Sequence, residues 1–167
     1  EELSDRVGIS TEVPSTISKL NIPDIPKGTI NPTTLGMVLG ALIPENAIVV
    51  DESVTTGREF FYQTAGSHPH TWLNNCGGSI GFGMPVAIGA AISCPDRKVI
   101  SLEGDGSAMY TVQSLWTMAR ENLDIVVLIF ANQSYKILQG ELTNVGVVNP
   151  GKSAMEMLSL QDPSLDW

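Results

Sequence analysis

A short glycine-rich segment has the residue types expected of a site for a phosphate and a divalent cation. In Gly104-Asp105-Gly106-Ser107, two glycines permit a tight turn and a close approach of the backbone to a ligand. The amides of Gly106 and Ser107 open a predicted helix, whose first turn favours anions. The carboxylate of Asp105 is an oxygen ligand of the kind that Mg²⁺ takes together with substrate phosphates. The segment alone is equally compatible with an ordinary turn between a strand and a helix.

Asn132 is the second candidate ligand for that cation. It lies 27 residues after Asp105, and one predicted helix and one predicted strand separate the two residues. In a sheet of parallel strands, ligands bind beyond the carboxyl ends of the strands, where these two loops would be neighbours. Both side chains could therefore reach one cation.

The pattern of apolar residues predicts the elements that would bring these loops together. Short runs rich in branched residues indicate buried parallel strands at 47–50, 98–102 and 125–130. The spacing of apolar and small residues predicts helices at 33–43, 55–63, 83–92 and 109–119. Because strands alternate with helices, we expect an α/β fold with a mostly parallel sheet and helices on both faces. Polar segments then fall at the carboxyl ends of the strands, at 51–56, 104–107 and 131–135.

The remaining stretches are predicted as loops and a linker. Glycine, proline, histidine and asparagine crowd 66–83, and 140–151 has the composition of a mobile loop. Prolines interrupt 1–31 without a persistent apolar period, so we expect a linker there and a domain over 32–167. Glu52, at the end of the first predicted strand, has two open interpretations, since it could face the site or cap a helix.

The composition fits one globular domain and disfavours other classes of protein. The chain has 167 residues, of which 43% are apolar, and this is enough for a core. A net charge of −9 disfavours nucleic acid as a partner, because that partner needs a basic surface. No apolar run approaches the length of a membrane span. Cys76 and Cys94 match no disulfide or metal pattern and are predicted to be small buried residues, which fits a reducing cytoplasm.

Two motifs together resemble those of the thiamin diphosphate-dependent enzymes. In that family a GDG segment is followed by a spacer and then by a pair of asparagines. The spacer has about the same length in this chain, where 25 residues separate Gly106 from Asn132. The segment 77–90 also resembles the family segment that precedes GDG. The greatest likeness is to the acetolactate synthase-like group, which includes benzoylformate and pyruvate decarboxylases. The sequence departs from the family at Ala131 and Gln133, where the family has Asn and Gly.

The resemblance implies how Mg²⁺ and the diphosphate of the cofactor would be held. The side chains of Asp105 and Asn132 and the backbone carbonyl of Ser134 would bind the metal. The diphosphate would contact residues that follow the first two predicted strands: Thr55, Gly104, Gly106 and Ser107.

The resemblance also implies roles at the reactive end of the cofactor. Ile80 would be an apolar wedge that keeps thiamin diphosphate bent, and a stiff branched side chain suits that task. The carbonyl of Gly78 would accept a hydrogen bond from the amine of the pyrimidine ring. Gly78 and Ile80 are therefore the expected catalytic positions, while Tyr135 and Leu138 would line the cofactor channel.

Family members also need partners that this chain does not supply. A glutamate from a separate pyrimidine-binding domain activates the cofactor across a subunit interface, and no segment here matches the motif of that domain. We therefore expect a larger homo-oligomeric enzyme, of which this chain is the diphosphate-binding part, incomplete at its C-terminus and inactive alone. The substrate would be pyruvate or another 2-oxo acid, with carboligation and decarboxylation both open. The alternative is a non-catalytic α/β module for a phosphate or nucleotide, although GxGxxG and P-loop patterns are absent.

Overall fold

The protein is described by a computed structural model that covers residues 6–8 and 17–167. Within that part of the chain, the strands are Ile48–Glu52 (β1), Thr71–Asn74 (β2), Val99–Gly104 (β3) and Ile125–Phe130 (β4). They form one all-parallel sheet in the order β2-β1-β3-β4. The helices are Pro32–Leu42 (α1), Phe60–Gln63 (α2), Gly83–Ser93 (α3), Asp105–Ala108 (α4), Ser114–Arg120 (α5), Lys136–Asn144 (α6) and Lys152–Met157 (α7).

The start of α1 is fixed by its own sequence. The Asn31 side chain accepts the backbone N–H of Thr34 at 2.9 Å, and the Thr34 hydroxyl accepts the N–H of Asn31 at 2.9 Å. This reciprocal pair satisfies two amide donors that a helix start otherwise leaves free. Pro32 occupies the first turn, where its missing N–H costs nothing.

Helices cover both faces of the sheet because successive strand residues point to opposite sides. Ile48 and Val50 of β1 pack in a cluster with Met84 and Ala87 of α3. Val49, between them, packs in a second cluster with residues of α1 and α2 and with Ile100 and Leu102 of β3. The expectation of an α/β fold with a parallel sheet between two helical layers is confirmed.

The strand register brings the predicted polar segments to one edge. Glu52 of β1 lies beside Glu103 of β3, and Gly104 of β3 lies beside Phe130 of β4. The segments after β1, β3 and β4 therefore leave the sheet side by side. No helix in the described part of the chain combines the length and the apolar character that a bilayer crossing requires.

Several local predictions need correction. The predicted loop 66–83 contains β2, whose short sequence lies among turn-forming residues and is ordered by parallel pairing with β1. The helix predicted at 109–119 begins only at Ser114, as α5. The short helix before it, α4, ends at Ala108. The loop predicted at 140–151 begins later, because α6 continues to Asn144. Cys76 is exposed and not buried.

The predicted linker 1–31 lies partly outside the described residues. Within 17–31, the backbone N–H of Asn21 donates to the carbonyl of Gly66 at 2.7 Å. Pro23 lies close to Gly40 of α1. This stretch therefore runs along the domain surface, and the boundary at residue 32 stays a prediction.

Candidate functional site

A cleft opens where β1, β3 and β4 end. This place, beyond the carboxyl ends of parallel strands, is where ligands bind in α/β folds. It is lined by residues that follow these three strands and by two residues from neighbouring loops: Ser53, Val54, Thr55, Ile80, Gly104, Asp105, Gly106, Ser107, Tyr110, Asn132, Ser134, Tyr135, Lys136, Ile137 and Leu138.

Asp105 joins two of the loops that form the cleft. Its side chain is 2% exposed. One carboxylate oxygen, Oδ1, accepts the N–H of Gly106 at 3.0 Å, and the other, Oδ2, accepts the N–H of Gln133 at 2.6 Å. A carboxylate that accepts backbone N–H bonds has a fixed orientation and keeps lone pairs for a further ligand. Asp105 therefore presents a negative charge that is already oriented.

The loop after β4 is held by its own side chain and by a later segment. Asn132 Oδ1 accepts the N–H of Ser134 at 3.0 Å. The N–H of Tyr135 donates to the carbonyl of Leu158, and the N–H of Leu160 donates to the carbonyl of Gln133, both at 2.9 Å. These bonds fix the position of Asn132 and Ser134 relative to Asp105.

Gly106 allows the cleft to close against an aromatic ring. A Cβ atom at this position would lie 2.7 Å from two ring carbons of Tyr135. Only a residue without a side chain therefore lets Tyr135 lie directly over the start of α4.

The oxygen donors of the cleft suit one kind of metal site. Asp105 contributes a carboxylate and Asn132 an amide oxygen, while the carbonyl of Ser134 accepts the N–H of Lys136 at 2.9 Å and keeps a second lone pair. Across the described residues, no group of three or more His, Cys, Asp or Glu residues is arranged to hold a metal. A cation here would therefore take much of its charge balance from an anionic ligand, as Mg²⁺ does with phosphates.

The sequence matches one family over most of the region that forms this cleft. The family is described as "Thiamine pyrophosphate enzyme, C-terminal TPP binding domain", and it matches residues 56–162. This chain belongs to that family. The resemblance inferred from the GDG and Asn132 motifs is confirmed.

Relatives of this thiamine pyrophosphate (TPP) domain belong to two named groups. A protein of Mycobacterium tuberculosis that carries the name of an acetolactate synthase large subunit, IlvX, is 45% identical over 99% of this chain and 32% of its own length. Benzoylformate decarboxylase of Pseudomonas aeruginosa is 37% identical over 67% of this chain and 21% of its own length. The chain is thus a TPP-binding domain of the acetolactate synthase-like and decarboxylase enzymes.

A solved structure agrees with the sequence relatives. The thiamine diphosphate-dependent 4-hydroxybenzoylformate decarboxylase of Rhodococcus jostii RHA1 superposes with a TM-score of 0.72 at 30% identity. The match covers 94% of this chain and 29% of that chain. The TPP domain therefore spans a third or less of the length of these relatives.

The cleft of the TPP domain brings together almost all of the residues singled out by sequence. Ile80 enters from the loop before α3, and its side chain is 45% exposed. Gly78 does not line the cleft; it is exposed, and its φ of +70° is a conformation that glycine adopts freely. The others that line the cleft are Thr55, Gly104, Asp105, Gly106, Ser107, Asn132, Ser134, Tyr135 and Leu138.

Sequence reasoning missed several residues of the cleft. Ser53 and Val54 lie within the segment 51–56, which the sequence places at the end of a strand, but neither had been given a role of its own. Tyr110 lies three residues beyond Ser107 and is not part of any motif that the sequence shows. Lys136 follows the Asn132 motif and also lines the cleft, while its Nζ atom donates a hydrogen bond to the Gln139 side chain at 3.2 Å.

Two buried glutamates, Glu52 of β1 and Glu103 of β3, lie side by side in the sheet. Glu52 Oε1 accepts the N–H of Gly81 at 2.5 Å, and Glu52 Oε2 accepts the N–H of Gly83 at 2.7 Å. These amides lie at the start of α3, so Glu52 caps that helix from a neighbouring strand. Glu103 accepts a hydrogen bond from the Ser101 hydroxyl at 2.6 Å.

The Glu103 carboxyl is in an unusual environment for an acid. Its side chain is fully buried, and its Oε2 atom has no hydrogen-bond partner in the described structure. Burial, aided by the nearby negative charge of Glu52, raises the pKa of Glu103 to about 8. Glu103 is therefore mainly protonated at neutral pH.

Proposed function

We propose that this domain holds the diphosphate of thiamin diphosphate through Mg²⁺ at the edge formed by β3 and β4. The observation that carries the proposal is the Asp105 carboxylate, which is buried and bonded to the N–H groups of Gly106 and Gln133 on two different loops. In a chain with a net charge of −9, an anionic cofactor needs a cation between itself and the protein. Asp105, Asn132 and the Ser134 carbonyl are the proposed ligands of that cation.

The diphosphate would be positioned mainly by backbone groups. Gly104, Gly106 and Ser107 lie where the chain turns from β3 into α4, and they line the cleft beside Asp105. Thr55 enters from the end of β1 with a hydroxyl that can donate to a phosphate oxygen. Lys136 reduces the repulsion between the anion and this acidic chain.

The rest of the cofactor would run along the apolar side of the cleft. Ile80 would contact it on one side, as the wedge that keeps it bent, with Tyr135 and Leu138 along the channel. Gly78 would act through its carbonyl at the pyrimidine end. When bound, thiamin diphosphate supplies an electron sink that lets a 2-oxo acid lose CO₂.

The whole enzyme is proposed to act on pyruvate or another 2-oxo acid, by decarboxylation or carboligation. The names of the relatives support both reactions, since they include an acetolactate synthase large subunit and a benzoylformate decarboxylase. We further propose that a pyrimidine-binding domain on a neighbouring subunit completes the site. The enzyme would then be a cytoplasmic homo-oligomer.

Calorimetric titration of the chain tests this proposal. Thiamin diphosphate and ADP would each be added with and without Mg²⁺. We expect binding of thiamin diphosphate that depends on Mg²⁺, because Asp105 and Asn132 alone offer the phosphate no positive charge. Equal or tighter binding of ADP would contradict the proposal and would favour a nucleotide-binding module.

A further inference from the structure

The side chain of Ile80 is not held by its own packing. It is 45% exposed, and it enters the cleft from residues 79–83, here called the wedge loop. An apolar side chain with this exposure has few neighbours to fix it. Its position must therefore come from the backbone on either side of it.

Glu52 provides the buried anchor of the wedge loop. It is 3% exposed on β1, and its two carboxylate oxygens accept the N–H groups of Gly81 and Gly83 at 2.5 and 2.7 Å. Short bonds to an ionised acceptor are stronger than neutral ones. The N-cap residue of α3, Phe82, makes no side-chain cap bond, so a carboxylate from another strand takes over that role.

Other contacts complete the hold on both sides of Ile80. The Thr111 hydroxyl donates to the carbonyl of Gly81 at 3.0 Å. On the preceding side, the Asn75 side chain accepts the N–H of Ser79 at 3.0 Å and donates to the Ser79 carbonyl at 3.1 Å. The Asn75 bonds are exposed to solvent, whereas both Glu52 bonds are buried. Glu52 is therefore the anchor that water replaces least easily.

We propose that Glu52 is a positioning residue, which sets the place of Ile80 by holding the Gly81 and Gly83 amides and so sets the conformation in which the cofactor binds. The proposal rests on the proposed function of the cleft. Glu52 itself does not line the cleft, so it acts through the wedge loop. Each of the two N–H donors has its own carboxylate oxygen here, whereas a glutamine amide would offer one acceptor oxygen and would turn an N–H₂ donor group toward the other N–H.

The first test needs no cofactor. Amide hydrogen exchange at Gly81 and Gly83 would be measured by NMR in the wild-type chain, in Glu52→Gln and in Glu45→Gln, an exposed charge-matched control. We expect exchange at both glycines to be at least about tenfold faster in Glu52→Gln and unchanged in Glu45→Gln. Unchanged exchange in Glu52→Gln would overturn the proposal.

A second variant keeps the proposal testable if Glu52→Gln does not fold. Glu52→Asp keeps the negative charge but is one methylene shorter, so it cannot reach both amides. We expect it to fold and to leave one of the two glycines in fast exchange. Protection of both glycines in Glu52→Asp would overturn the proposal.

The second test separates Ile80 from the metal site. Affinities for thiamin diphosphate and for inorganic diphosphate, each with Mg²⁺, would be measured for Glu52→Gln, Ile80→Ala and the double variant. We expect each single variant to lose about tenfold in affinity for thiamin diphosphate and nothing for inorganic diphosphate. The double variant should bind no worse than the weaker single variant, because both changes remove the same interaction.

The outcomes distinguish failure of this proposal from failure of the proposed function. Additive losses in the double variant, or an equal loss for inorganic diphosphate, would show that Glu52 does not act through Ile80. A wild-type chain that binds neither ligand would refute the proposed function and the role of Ile80 with it. In that case, amide exchange would still decide whether Glu52 holds the wedge loop.

Discussion

Asp105 is the residue on which the geometry of the cleft depends, because its two oxygens are bonded to different loops. Asp105→Asn keeps the shape of the side chain but removes the charge and one acceptor. We expect the Mg²⁺-dependent affinity for thiamin diphosphate to fall about tenfold or more in calorimetry. Asp96→Asn, in an exposed turn, is the matched control and should bind as the wild type does. Unchanged binding in Asp105→Asn would remove Asp105 from the metal site.

Gly83 is the residue that lets the buried glutamates approach α3. A Cβ atom there would lie 2.9 Å from Glu52 Oε2 and closer still to Glu103 Oε1. We expect Gly83→Ala to lower the free energy of unfolding by about 1–3 kcal/mol, because the added methyl overpacks this region. Gly89→Ala on the same helix meets no atom within 4 Å. That control should be neutral or slightly stabilising in urea unfolding, since alanine favours helix.

Glu103 should make the stability of the domain depend on pH. Its pKa is about 8 in the folded chain, against an ordinary value of 4.5. Between these values the folded state keeps a proton that the unfolded state releases, so this contribution is full below about pH 4.5 and lost above about pH 8. Relative to Glu103→Gln, the wild type should therefore lose stability on the order of a few kcal/mol as the pH rises from about 5 to 8.

Urea unfolding at several pH values would measure this effect of Glu103. Glu45→Gln, in an exposed position, controls for the general effect of removing one charge and should follow the wild-type curve. If the curves of the wild type and Glu103→Gln run parallel across this range, burial does not raise the pKa of Glu103.

The loop after β4 contains a residue in a conformation that favours glycine. Gln133 has a φ of +57°, and it stands where the family pattern has Gly. We expect Gln133→Gly to raise the free energy of unfolding by up to about 1 kcal/mol, since the left-handed conformation then carries no steric cost. Gln133→Val should lower it by about 1–2 kcal/mol, because a β-branched residue is strained there. Equal stabilities of the two variants in urea would contradict this reason.

The elements that could be predicted are those whose local pattern is strong. β4 is a run of apolar residues, and β1 and β3 both begin with branched apolar residues. The start of α1 is indicated by Asn31 and Pro32. β2 could not be predicted in this way, because four residues among glycines and prolines become a strand only by pairing with β1. Its existence is decided by a partner in space and not by its own sequence.

The same distinction applies to the candidate site. Asp105 and Asn132 could be predicted, because each follows a strand that the sequence itself indicates. The partners of Glu52 could not, since they lie 29 and 31 residues away and meet it only through the packing of α3 against β1. The raised pKa of Glu103 has the same origin, because burial depends on the assembled layers.

At the scale of the whole molecule, ligand binding should stabilise the fold. The proposed ligands lie on loops from β3 and β4, so a bound metal and diphosphate would link parts of the chain that separate on unfolding. By mass action, a ligand at about a hundred times its Kd adds about 2.7 kcal/mol, or about 5–10 °C in Tm for a domain of this size. Calorimetric melting should show this rise with Mg²⁺ and thiamin diphosphate together. A similar rise in Asp105→Asn would argue against the site.

The outer strand of the sheet has a consequence for how the protein behaves at high concentration. Within the described residues, β4 pairs with β3 on one side only, and its sequence, Ile125-Val126-Val127-Leu128-Ile129-Phe130, has no charged or polar residue. Such an edge offers free N–H and C=O groups to another chain and is a template for aggregation. The purified protein should therefore self-associate more strongly as its concentration rises. Val126 is 42% exposed, and we expect Val126→Lys to reduce this self-association.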